Sequence, residues 1–366
     1  MINASRQPFP VSGAICVALG TVFSLRRIVA PWPAEVPWFA EVPWFAEVPP
    51  LPIAEALPSA ALLVETPATD AHISGGMPLA EALTRFSAEF GWIAAVWGVL
   101  LLLWMLVLAV QLSLRYSPAA NRNYLPPQVL LVVAVGLVVP GEALAGLLAA
   151  WLFLLSSRQF AFSLHKGYRF QEVFRAGLYL GIAPLLYAPA AVVALVVAPV
   201  SLSIYRRSWR EFAVSFVGLL FPVPAAGFIH WAMGRPADFI YRELWRVATT
   251  PAGEDFFRDF MPLGATVVAG LAALLVLVAM GRTLTHKNGI RKSQHKFMLA
   301  STLSMGAVAL SALMPGTSPT LMPFAAVPAA LCVPYAFAGR VSGVSSAVYF
   351  TVVSAALALN LLSLFL

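Results

Sequence analysis

Long charge-free apolar stretches alternate with short charged loops along the chain, as at Trp92 to Val110, Thr266 to Met280 and Ser345 to Leu366. A run of about 20 apolar residues makes a helix long enough to cross the hydrocarbon core of a bilayer. The pattern therefore predicts transmembrane helices. Spans are expected near 8–25, 91–112, 126–139, 143–157, 174–187, 189–204, 212–233, 261–281, 297–314, 319–338 and 345–366, about eleven in all.

The charged positions orient this series. Sixteen of the 23 Lys and Arg residues fall in loops that alternate with loops holding 14 of the 16 Asp and Glu residues. Cytoplasmic loops carry the basic excess, so the amino terminus with Arg6 is expected inside and the carboxyl terminus outside. The chain then divides into a first transmembrane helix (1–30), an exterior Pro/Trp-rich loop (31–90) and a transmembrane bundle with short hairpins (91–233). An exterior amphipathic loop (234–260) and a C-terminal bundle (261–366) complete it.

Composition agrees with a lipid solvent. With 60% hydrophobic residues, 11% charged residues and a mean hydropathy of +0.83, too little polar surface exists to cover a water-soluble globule. The formal charge of +7 is spread over short loops rather than gathered on one face, so nucleic acid is not an expected partner. The all-α, polytopic transmembrane bundle implied here meets membrane lipids and, as a second class of partner, other envelope proteins. The two cysteines, Cys16 and Cys332, sit inside apolar spans, where they act as small hydrophobes rather than a disulfide frame.

Several spans are shorter than a bilayer crossing. The pair 126–139 and 143–157, joined by Pro140-Gly141-Glu142, reads either as a hairpin or as a re-entrant pair, and so does 174–187 with 189–204, which Pro184 and Pro189 interrupt. Broken helices at membrane depth need protein or a water-filled cavity around the freed backbone, which marks these pairs as the expected lining of an internal site. Pro323, Pro328 and Pro334 interrupt the tenth span in the same way. In the exterior loop, Ala34-Glu35-Val36-Pro37-Trp38-Phe39 recurs as Ala40 to Phe45 and half recurs at Ala46-Glu47-Val48. Its regular prolines forbid a helix, and its rings suit the headgroup boundary.

Motifs that would name a chemistry are missing. There is no His-Glu-x-x-His, Gly-x-Ser-x-Gly, Gly-x-Gly-x-x-Gly or phosphate-binding Gly-x-x-x-x-Gly-Lys sequence. His72, His165, His230, His286 and His295 are dispersed, so no metal site and no cofactor is expected. Candidate chemistry is left at span ends. In the exterior loop Arg235 and Arg242 can clamp a pyrophosphate, with Glu243 as base for a sugar hydroxyl. The competing reading is an interfacial helix over 237–247 joined by ion pairs Asp238–Arg242 and Glu243–Arg246. On the cytoplasmic side Arg206, Arg207 and Arg210, with Trp209, form a lipid-phosphate candidate or a plain headgroup anchor.

Ser5-Arg6-Gln7-Pro8, Met77-Pro78-Leu79, Tyr124-Leu125-Pro126, Phe174-Arg175-Ala176-Gly177, Leu186-Tyr187-Ala188-Pro189, Trp209-Arg210-Glu211 and Gly218-Leu219-Leu220-Phe221-Pro222 follow one another in this order. Over residues 1–235 the chain resembles a family of polytopic inner-membrane proteins from Bacteroidota whose function is not established. The resemblance implies a multi-pass protein of the bacterial inner membrane and carries no catalytic residues with it. The proline-aromatic repeat departs from that family's pattern. Two functional classes follow: a protein that handles polyprenyl-phosphate-linked glycans at the periplasmic face, or a non-enzymatic scaffold subunit or carrier of a lipid or small solute.

Overall fold

The computed structural model describes residues 77–116, 129–130, 143–164, 169–205, 208–234, 236, 238–249, 277, 281, 292–312 and 321–336. The expected spans 8–25 and 345–366, nearly all of 126–139 and 261–281, and the repeat at 34–48 lie outside them. The described residues are all-helical, with no strand among them. Their helices are α1 (Pro78–Glu89), α2 (Gly91–Tyr116), α3 (Ala143–Phe162), α4 (Phe170–Leu186), α5 (Ala190–Tyr205), α6 (Trp209–Leu220), α7 (Pro222–Ala232), α8 (Phe239–Thr249), α9 (Lys292–Ser311) and α10 (Leu321–Ala336).

Three units are long and apolar enough to cross a membrane: Val96–Tyr116 in α2, Leu144–Phe162 in α3, and Trp209–Ala232, which is α6 followed by α7. α2, with 26 residues, is about 39 Å long. Its face with Trp97, Leu100, Leu103, Trp104 and Val107 is exposed, while Leu102, Met105, Ala109 and Leu112 turn into the core. An exposed row of large apolar side chains is ruinous in water and normal against lipid. α5 and the Leu321–Cys332 part of α10 are apolar but shorter.

α3 and α4 form the centre. α3 packs on α2, α4 and α10, and α4 on α3, α5 and α6. The packing includes polar ties at depth: the Ser156 hydroxyl donates to the Ala176 carbonyl at 2.9 Å, and the Tyr116 hydroxyl to the Ala161 carbonyl at 3.0 Å. Such bonds satisfy groups that lipid cannot. Phe153 stacks on Phe324 and Tyr116 on Phe297, with ring centroids 4.9 and 5.1 Å apart, joining α3 to α10 and α2 to α9.

Small residues let α4 and α6 approach closely. A Cβ at Gly177 would collide with the Ser215 carbonyl oxygen, one at Gly181 with the Leu219 carbonyl, and one at Gly218 with the Phe174 carbonyl. Backbone-to-backbone approach of this kind is how helices associate where no hydrophobic effect drives them together. Beyond Phe221 the contact loosens, and α7 touches α4 only slightly.

Helix ends differ from the sequence expectation in an orderly way. The stretch 143–157 extends to Phe162, 174–187 becomes Phe170–Leu186, and 297–314 becomes Lys292–Ser311. In each case polar residues that hydropathy assigns to a loop continue the helix, because backbone hydrogen bonding does not stop where apolar character stops. Pro184 and Pro199 lie inside α4 and α5 rather than ending them. The end of the segment expected as exterior loop is also helical. α1 has Pro78 in its first turn, where a missing N–H costs nothing, and Glu81 near the positive end of the helix dipole.

Candidate functional site

The described bundle has two chemically distinct ends. At one, Met77 and Ala80 of the α1 region pack with Ala145 of α3 and Ala188 after α4, and Leu83 and Leu244 close over them. At the other lie Arg115, Arg158, Phe162, Arg169, Tyr205, Trp209, Arg210 and Glu211. Arg115 and Arg158 both stand over the Phe162 ring at 5.0 Å.

At the first end a groove opens between α1, α4 and α7, with a volume of about 780 Å³. That is within the ~300–1,000 Å³ typical of ligand sites. Leu178, Ile182 and Leu185 form one wall on α4, and Phe221, Pro222, Ala225 and Ile229 form the other at the start and along the length of α7. The walls separate because the glycine contacts that hold α4 against α6 end at Gly181 and Leu219, and Pro222 then starts a helix with different neighbours. α1 closes the top with Glu81, Arg85 and Glu89, which stand one turn apart on one face. Arg85 donates to the Glu81 carboxylate, and both groups are well exposed. Among the described residues Glu89 has no basic partner. His230, on the opposite rim, stacks on Phe239 at 5.4 Å, and its Nδ1 has no hydrogen-bond partner among the described residues.

The candidates in the 234–260 loop have other commitments. Gly234, with φ of 80°, turns the chain out of α7, a conformation that a side chain would oppose. α8 then carries Ile240, fully buried, and Leu244 on one face, with Tyr241, Arg242 and Trp245 on the other. Arg242 grips Asp238 with two bonds of 2.6 Å, and Arg246 grips Glu243. The hydrogen bond from Arg242 holds the Asp238 carboxyl below the usual carboxylate range. These are the two ion pairs expected of an interfacial helix, and they stand on α8, outside the lining of the groove. Arg235 lies outside the described residues.

At the other end Arg206 and Arg207 lie outside the described residues, and Arg210 is exposed. Trp209, 77% exposed, stacks on Phe212, which stacks on Phe216. Beside this ladder Glu211 is only 1% exposed and accepts a bond of 3.3 Å from the backbone N–H of Arg169. The carboxylate therefore ties α6 to the amino end of α4, where the helix dipole favours negative charge. An aromatic row thus lies beside the exposed Arg210.

A second, water-sized space of about 10 Å³ lies between α3, α5, α9 and α10. Ser157, Ser201, Tyr205, Ser301 and Ser304 bring five hydroxyls to its lining, of which Ser301 and Ser304 donate to the Phe297 and Ala300 carbonyls of their own helix. A polar void of this size suits one ordered water. Among the described residues no three His, Cys, Asp or Glu side chains gather as metal ligands.

Neither the groove nor the hydroxyl-lined void was marked by a motif. Of the short pairs expected to line an internal site, 174–187 contributes Leu178, Ile182 and Leu185 to the groove and 189–204 contributes none of the lining residues, whereas Arg85, Glu89 and His230 carry no local signal. No family model, curated protein or solved structure matches the chain.

Proposed function

We propose that this is a multi-pass protein of the bacterial inner membrane that holds a lipid at the exterior face. In this reading about eleven spans run from a cytoplasmic amino terminus to an exterior carboxyl terminus. The groove between α1, α4 and α7 carries the proposal, because it joins two apolar helix faces to a charged rim at one end of the bundle. A lipid has that division of chemistry, with chains that match the walls and a head that meets the rim.

Of the two functional classes drawn from the sequence, the geometry favours a lipid carrier or lipid-dependent scaffold over turnover of polyprenyl-phosphate-linked glycans. A pyrophosphate needs several cations around it. Among the described residues the groove lining offers Arg85 alone; Arg242 and Arg246 are not part of it.

The test is native mass spectrometry of the full chain released from its membrane. Lipid adducts should be present in the wild type and strongly depleted in Ala225→Trp, which fills the groove. Leu103→Trp, on the outward face of α2, should keep them. Equal adducts in all three proteins would overturn the reading.

A further inference from the structure

We infer that the groove selects a zwitterionic phospholipid with a primary amine in its head, the chemistry of phosphatidylethanolamine; this rests on the lipid reading above. The rim decides the head. Glu81, Arg85 and Glu89 follow each other at four-residue steps along α1, so the groove meets charges ordered negative, positive, negative. Beside the His230 imidazole, the lining holds two carboxylates and one guanidinium. An anionic head would therefore meet a surface that repels it, and a pyrophosphate head still more so.

A phosphoethanolamine head fits the order of the charges. Its phosphate and ammonium are two carbons apart, a span comparable to the helical turn of about 5.4 Å that separates Arg85 from Glu89. The phosphate is set against Arg85 and the ammonium against Glu89. Arg85 is open to exchange, since its bond to Glu81 joins two exposed groups and such pairs are weak. A phosphate oxygen replaces one charged acceptor by another. A choline head has the same charges but no N–H to donate, so Glu89 separates the two zwitterions by hydrogen bonding rather than by net charge.

Below the rim the walls take the acyl chain. Leu178, Ile182 and Leu185 follow one face of α4, opposite Phe221, Ala225 and Ile229. Among the described residues no charged side chain lies between these walls, so the selectivity resides at the rim.

The experiment places the full-length protein in nanodiscs with equal parts of phosphatidylethanolamine, phosphatidylcholine and phosphatidylglycerol and a trace of polyprenyl phosphate. Retained lipid is then read by native mass spectrometry. The wild type should enrich phosphatidylethanolamine about tenfold over phosphatidylcholine, the ratio expected for one hydrogen bond to a charged group. Glu89→Ala, which removes the acceptor, should bring that ratio to about one. Glu89 is exposed at the end of α1, so the variant keeps its fold, which an unchanged thermal transition would confirm.

Enrichment of phosphatidylglycerol or polyprenyl phosphate instead, or a preference that Glu89→Ala leaves intact, would overturn the selectivity and leave lipid binding standing. Retention that Ala225→Trp does not reduce would remove both. So would a cross-link showing that another segment of this chain fills the groove.

Discussion

At Gly177 the absence of a side chain sets the distance between two helices. Adding a single methyl drives it into the Ser215 carbonyl, which is backbone and cannot swing aside. Gly177→Ala should therefore destabilise the detergent-solubilised protein by about 1–3 kcal/mol, the usual range for overpacking, read as a lower thermal transition. Gly306 is the control, because among the described residues a Cβ there meets nothing within 4 Å. It lies within α9, where Ala lowers backbone entropy loss, so Gly306→Ala should stabilise by about 0.5–1 kcal/mol. Opposite outcomes at two helical glycines would separate close approach from helix propensity. Cys332 offers a probe of the same core: its residue is fully buried, so in a Cys16→Ala background maleimide should react only as the protein unfolds. Rapid labelling of the native protein would show that α10 is open to solvent.

The clearest single-element prediction concerns α8. Asp238 has a folded-state carboxyl pKa below its ordinary value because Arg242 donates to its charged form. A depressed pKa contributes stability above the unfolded value, and that contribution disappears as pH falls through the folded one. The start of α8 should therefore loosen below about pH 4, seen as faster amide exchange over 239–242 after correction for the intrinsic rate. Asp238→Asn should remove this pH dependence. Arg242→Ala should weaken the same turn yet leave lipid retention unchanged, and a large loss of retention would return Arg242 to the site. α8 was legible in advance because its evidence is local: alternating apolar and charged residues, and partners one turn apart. α1 was not, since twelve residues with Pro78 at their head follow a long proline-rich tract. The groove could not be read from hydropathy at all. Its walls come from segments around 81–89, 178–185 and 221–233, and no window along the chain holds all three. The short hairpin pointed to the region because Pro184 lies beside the α4 wall, but the charged rim arises only when α1 folds over it.

For the whole molecule, the strongest regularity is the agreement between sequence charge and three-dimensional position. Residues expected on one side of the membrane, from Glu81 to Glu89 and from Asp238 to Arg246, meet at the end where Met77, Ala145, Ala188 and Leu244 cluster. Residues expected on the other side, among them Arg115, Arg158, Arg169 and Arg210, belong to the opposite end, where Glu211 joins α6 to α4. Folding alone could produce two such ends; the assignment of exterior and cytoplasm rests on the basic excess. The charge pattern predicts how single cysteines, introduced after both native ones are removed, will label. Glu89→Cys and Tyr241→Cys should react with an impermeant maleimide in cells whose inner membrane is intact. Arg210→Cys and Lys292→Cys should react only after that membrane is permeabilised. All four native side chains are exposed, so burial does not explain a missing signal. The reverse pattern would place the groove in the cytoplasmic leaflet. It would leave the helix packing untouched but would require the lipid to be taken from the opposite monolayer. Labelling of all four from outside would exclude the transmembrane arrangement itself, because the described ends could not then face separate compartments.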